Sequence, residues 1–151
     1  MATSEKSVEV LNDLLEINND RIKGFERSIS ELGNGDSDLK SLFEEYSSQS
    51  RKNVQELTAA VTQSGGSAET GNSISGTIHR AWIDVKGTFT GHDRKSILQE
   101  CERGEDAMKS AYKSALAPDS ELSADLVQTV SKQAEEQKLA HDRVKALRDS
   151  E

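Results

Sequence analysis

The residue in this chain best placed to do chemistry is Glu105. Leu98, Cys101, Met108 and Tyr112 stand at i−7, i−4, i+3 and i+7 from it, so on a helix the carboxylate shares their apolar face. A carboxylate carried into a core is costly unless it is paired or hydrogen-bonded. Comparable polar breaks occur near the middle of three other apolar stripes: Asn18, then Ser50 and Asn53, then Gln133 and Gln137. If the helices lie side by side, these six positions form one polar layer. Two readings follow. In the first, the side chains satisfy one another and fix the register of the helices, as a buried Asn does in coiled coils. In the second, the layer is a metal or small-ligand site built from Glu105, with Glu102, His141, Asp20 and Glu45 as further ligands.

The metal reading can be set against a known requirement. A di-iron carboxylate bundle takes Glu from two helices and Glu-x-x-His from the other two, because the i, i+3 spacing aims both side chains at one metal pair. The residue three before His141 is Lys138, three before His79 is Gly76, and three before His92 is Phe89. The standard centre is therefore not encoded, and an unconventional ligand set is what remains. Other chemistries are also missing. There is no Walker-type phosphate loop and no Gly-x-Ser-x-Gly elbow. Cys101 could pair with His141 as nucleophile and base, but a thiol between Leu98 and Met108 on a core face is expected to be inert. His92, beside Gly91, reads as a solvated turn residue. His79, Arg80 and Trp82 read as a structural anchor, with a ligand role as the alternative.

The elements that must position these residues are helices. Val8, Leu11, Leu15, Ile22, Phe25, Ile29 and Leu32 recur at helical spacing and predict a first helix over about 5–32. Gly33, Asn34 and Gly35 offer positive-φ residues to end it, and Asp36 to Asp38 offer N-caps for a second helix over 38–63. After a Gly/Ser-rich stretch beginning at Ser64, the spacing of Ile74, Ile78, Trp82, Val85 and Phe89 predicts a short helix over 74–89. A further helix is expected over 93–117, opened by Asp93 and stopped by Pro118. The last, over 120–149, is expected to be capped by Asp119 or Ser120. Two helix hairpins joined by a long connection make the expected architecture: an all-α, ferritin-like four-helix bundle in a single domain, with a short fifth helix in the crossover.

Composition narrows the function classes. Of 151 residues, 33% are hydrophobic and 30% charged, with one proline, which suits long amphipathic helices. A net charge of −8 disfavours a nucleic-acid partner, since phosphate binding needs clustered Lys and Arg. No apolar run approaches the ~20 residues that span a bilayer, and the opening MATSEKSV lacks the features of a secretory signal. A single cysteine excludes an intrachain disulfide. Together these give the expectation of a cytoplasmic protein, away from membranes.

Several of these residues carry a resemblance. Asn18-Asn19-Asp20-Arg21 with Gly24-Phe25, the run Gly76 to Trp82 containing His79-Arg80, Glu100-Cys101-Glu102-Arg103-Gly104-Glu105-Asp106 with Tyr112, and the late His141 resemble the PA2169-type four-helix-bundle proteins, also called the DUF2383 family. The resemblance covers nearly the whole chain. It implies a ferritin-like fold in a bacterial cytoplasmic protein with no assigned activity, and it does not bring the superfamily's metal ligands with it. A stress-related role would be analogy. The favoured expectation is a non-enzymatic bundle that is metal-free and acts by binding a protein partner or by forming a homodimer. The alternative is a metal-binding bundle using iron, manganese or zinc.

Overall fold

The computed structural model describes residues 5–65 and 93–151. Among these there are four α-helices and no strand: α1 (Glu5–Glu31), α2 (Ser37–Gln63), α3 (Arg94–Ala115) and α4 (Ala124–Asp149), with short 3-10 turns at Asn34–Asp36 and Pro118–Ser120. The all-α four-helix bundle expected from the apolar spacing is what forms. The expected short helix over 74–89, and with it His79, Arg80, Trp82 and His92, lies outside the described residues.

The α1–α2 turn is made differently from the expectation. Gly33 is extended, with φ −84 and ψ 176, and no residue from Gly33 to Asp36 takes positive φ. A single 3-10 turn reverses the chain instead, and the Asp36 carboxylate accepts from the Gly33 N–H at 3.2 Å, holding the turn shut. The start of α4 also departs from the expectation. Pro118–Ser120 closes a 3-10 turn, Glu121 takes a left-handed conformation (φ 60), and the cap is Ser123, whose hydroxyl accepts from the Leu126 N–H. Proline fits the first position of such a turn, where an N–H has no partner to lose, so Pro118 begins the turn as well as ending α3.

The hairpins α1–α2 and α3–α4 are antiparallel, and cross-helix contacts such as Asn18 to Tyr112 and Ser28 to Cys101 run α3 antiparallel to α1 as well. Hence α2 and α3 run in the same direction. Arg94, at the start of α3, confirms it by binding Asp36 and Asp38 at the start of α2, with distances of 3.0 and 2.9 Å, and Glu151 beyond the end of α4 at 3.3 Å. Since α2 has 27 residues, its end lies about 40 Å from the end where α3 begins, at 1.5 Å rise per residue.

The core is divided in two. At one end Leu11, Leu14, Ile17, Leu57, Val61, Met108 and Val130 pack together, and at the other Phe25, Leu39, Phe43, Ile97, Leu98 and Val144. Each such side chain contributes about 1.5–3 kcal/mol when fully removed from water. α1 is enclosed on every side from Val10 to Asn18, so Asn12, Asp13 and Glu16 are buried with their neighbours, and all three are partnered. Among the described residues no helix is long and apolar enough to cross a membrane.

The Arg94 clasp has a pH signature. Its guanidinium holds the Asp38 carboxyl down to about 2 from an ordinary 3.8. A depressed carboxyl stabilises the fold above its unfolded value, and that contribution is lost as pH falls through the folded value. Between pH 4 and pH 2 the urea midpoint should therefore fall, and in Arg94→Ala the share due to Asp38 should vanish. The Asp38 carboxyl in that variant should titrate near 3.8 by NMR.

Candidate functional site

Between the two apolar clusters lies a layer of polar side chains drawn from all four helices. Its centre is an ion pair: Arg21 Nε donates to Glu105 Oε1 at 2.7 Å and Nη2 to Oε2 at 3.2 Å, with the two side chains only 3% and 2% exposed. Two parallel bonds from one guanidinium to one carboxylate are the strongest such arrangement available to side chains. The third nitrogen, Nη1, donates to Gln49 Oε1 at 2.8 Å and to Ser50 Oγ at 2.9 Å. The guanidinium carbon lies 5.3 Å from the ring centre of Phe25 and 5.7 Å from that of Tyr46, within cation–π reach.

From Ser50 the network passes to Asn18. Ser50 Oγ and Asn53 Nδ2 both donate to Asn18 Oδ1, at 3.0 and 3.2 Å. Asn18 Nδ2 donates to the Leu14 carbonyl at 2.9 Å and to the Tyr112 hydroxyl at 3.0 Å. That hydroxyl donates to Gln133 Oε1 at 2.8 Å, and Gln133 Nε2 donates to Glu56 Oε1 at 2.9 Å. Gln137 closes the other side, its Nε2 reaching Glu105 Oε2 at 2.8 Å and the Glu105 carbonyl at 2.9 Å. Because both neighbours of Gln137 Nε2 are acceptors, its amide orientation is fixed, and its Oε1 is left buried without a donor.

All six polar positions read from the sequence, Asn18, Ser50, Asn53, Glu105, Gln133 and Gln137, thus meet in one network. Its central cation was not among them. Arg21 lies three residues after Asn18 and four before Phe25, on the stripe already traced, and a buried carboxylate needing a partner was the signal that could have found it. Tyr112, read only as core, is the bridge between Asn18 and Gln133. Burial pushes both tyrosine hydroxyls up, Tyr46 to about 12, so each stays protonated and able to donate.

The five residues named as metal ligands do not converge as one set. Glu105 is in the layer, Glu45 is exposed, and Asp20 is half-buried on α1. Glu102 and His141 do come together, joined by Asp106, in a separate group at the α3–α4 seam with ligand atoms within 4.8 Å of one another. Cys101 is turned toward α1. Its thiol sits 3.4 Å from the Ser28 hydroxyl, and burial pushes it up to about 12.

A di-metal centre of the kind four-helix bundles carry does not fit the layer. Both oxygens of Glu105 are taken, and the positive charge of Arg21 lies where a cation would have to approach. What the layer can do is hold position.

A family model matches residues 6–118, and it is the domain of unknown function DUF2383. The chain belongs to this family. Comparison with curated proteins gives no match. The matched span covers α1, α2 and α3 and stops before α4, so Gln133, Gln137 and His141 lie beyond it.

Two outcomes are expected of this DUF2383 member. Glu105→Leu and Arg21→Met should each destabilise by about 3–5 kcal/mol in urea titrations, because each leaves a buried charge alone, whereas the double variant should recover most of that loss. Cys101 should resist a thiol reagent at pH 8 in native protein and react fully once unfolded, so the reaction rate should track unfolding.

Proposed function

We propose that this protein is a non-enzymatic, ferritin-like helical bundle of the bacterial cytoplasm that acts through its surface, by binding a protein partner or a second copy of itself. In this reading the polar layer specifies the register of four helices and so the shape of the outer faces. The observation that carries it is the internal pairing of Glu105: Arg21 and Gln137 both donate to it, and the charges of Arg21 and Glu105 cancel. Three donors leave Glu105 one of its about four lone pairs, and the guanidinium at its side opposes the approach of a second cation. The parallel run of α2 and α3 supports the ferritin-like topology, in which the second and third helices start at the same end. A single buried cysteine is in keeping with a reducing compartment.

Register specification and stability can be separated by experiment. Arg21→Met combined with Glu105→Leu replaces the ion pair with apolar volume, which by itself costs little. The variant should stay helical and thermally stable but sample more than one packing, seen as doubled amide resonances and a broadened or shifted sedimentation profile. One sharp set of resonances with unchanged sedimentation would refute a register role.

A further inference from the structure

We propose that Glu102, Asp106 and His141 form a binding site for a divalent transition-metal ion, with zinc as the best fit, at the α3–α4 seam outside the polar layer. Glu102 and Asp106 are one turn apart on α3, so both carboxylates point along the same edge, and His141 on α4 faces them. The set of one nitrogen and two oxygens suits a borderline ion such as zinc, and three protein ligands leave a fourth position for water. Ligand atoms around such an ion stand about 2.0–2.2 Å from it. Atoms already within 4.8 Å of one another need only side-chain rotation to close on it, and Asp106, 57% exposed, is free to rotate.

The imidazole is held in place for such a role. His141 is buried, with its side chain 6% exposed, and both ring nitrogens face carboxylates: Nδ1 faces Asp142 at 3.0 Å, and Nε2 is in contact with Asp106. With Nδ1 turned to Asp142, Nε2 is the ring nitrogen directed at the α3 carboxylates, where an ion held by them would meet it. A carboxylate on the far nitrogen of a metal-bound histidine is the usual device for fixing the tautomer and aiming the ring, and Asp142 occupies that place. Zinc would bind the Nε2 lone pair and join this nitrogen to two carboxylates, whose two negative charges balance its own.

Arg148 stands in for the ion on one side, its Nη1 donating to Glu102 Oε2 at 2.8 Å. It also binds Asp149 at 2.7 Å, so on metal entry it has another carboxylate to keep. Arg148 therefore competes with the ion, and its removal should strengthen metal binding. That sign distinguishes a built site from zinc scattered over an acidic surface.

The test is calorimetric titration of the untagged, chelator-treated full chain with zinc chloride, with retained zinc measured after desalting. One zinc per chain is expected, with affinity reduced at least tenfold in Asp106→Asn and in Glu102→Gln and raised several-fold in Arg148→Ala. Asp106 is exposed and Glu102 lies at the seam, so circular dichroism should show both variants folded. The Nε2 resonance of His141 in nitrogen-15 spectra should shift on zinc addition. No retained zinc would overturn the proposal, and so would binding unchanged in Asp106→Asn and Glu102→Gln but lost when His79 and His92 are replaced by Gln.

Discussion

A guanidinium and a carboxylate placed out of water at mid-height are the constraint to which the rest of the bundle conforms. Each charge alone would cost several kcal/mol of desolvation, so neither helix can move without the other. Arg21 reaches Glu105 through two bonds and α2 through two more, while Glu105 is held from α4 by Gln137. A shift of any helix by one residue is a translation of about 1.5 Å and a rotation of about 100°, enough to break these bonds. Apolar contacts above and below have no such directional demand. Leu, Ile and Val would tolerate several registers at similar energy, and the layer selects among them. The division of the core into two apolar clusters is a consequence, because the polar level must pass through the whole cross-section to satisfy itself.

The same two helices carry an inner and an outer row of polar groups. Glu105 on α3 and Gln137 on α4 face the centre, whereas Glu102, Asp106 and His141 lie within one turn of them along the seam. The rows differ in charge balance. The inner row is neutral once Arg21 is counted. The outer row opposes two carboxylates from α3 and one from Asp142 to a single imidazole, with Arg148 as the nearest guanidinium. Any cation attracted to this pair of helices is thus directed to the seam and turned away from the core. The polarity that made Glu105 look like a ligand in the sequence is spent internally one row deeper than the groups able to hold an ion.

How much was legible follows from which forces leave a periodic trace. Apolar residues at helical spacing marked all four described helices, because burial of one face dominates helix stability in a bundle. Polar breaks in that spacing marked the layer, since a polar residue on an apolar face must have a partner. Arg21 was missed because a long side chain next to an apolar stripe ordinarily carries its charge to solvent. Only the position of Glu105 on another helix, 2.7 Å away, turns it inward. Asp106 was missed for a related reason: it is an exposed acid among many, and its link to His141 is tertiary. Asp36, one of the expected caps, does stand at the N-cap of α2. The positive φ expected in the α1–α2 turn and the cap expected for α4 are not what forms, because several residues could cap or turn there. The choice fell to Asp36 and Ser123 through hydrogen bonds that composition does not rank.

The fourth helix shows how tightly these levels are coupled. Its own apolar pattern is weak, since Gln133 and Gln137 interrupt the stripe between Val130 and Val144. Without α4, however, the Tyr112 hydroxyl has no acceptor and Glu105 Oε2 loses its neutral donor. Buried groups stripped of partners cost about 1–3 kcal/mol each, more when charged. The helices within the family match therefore present a polar face that is incomplete by itself, and Gln133 and Gln137 are complementary to it at the right height. Docking of α4 is directed by that unmet hydrogen-bonding capacity as much as by its few apolar side chains, which explains how a helix with so modest a hydrophobic face can close a bundle. His141, one turn beyond Gln137, is brought to Asp106 by the same docking, so the register set in the core also sets the geometry at the surface.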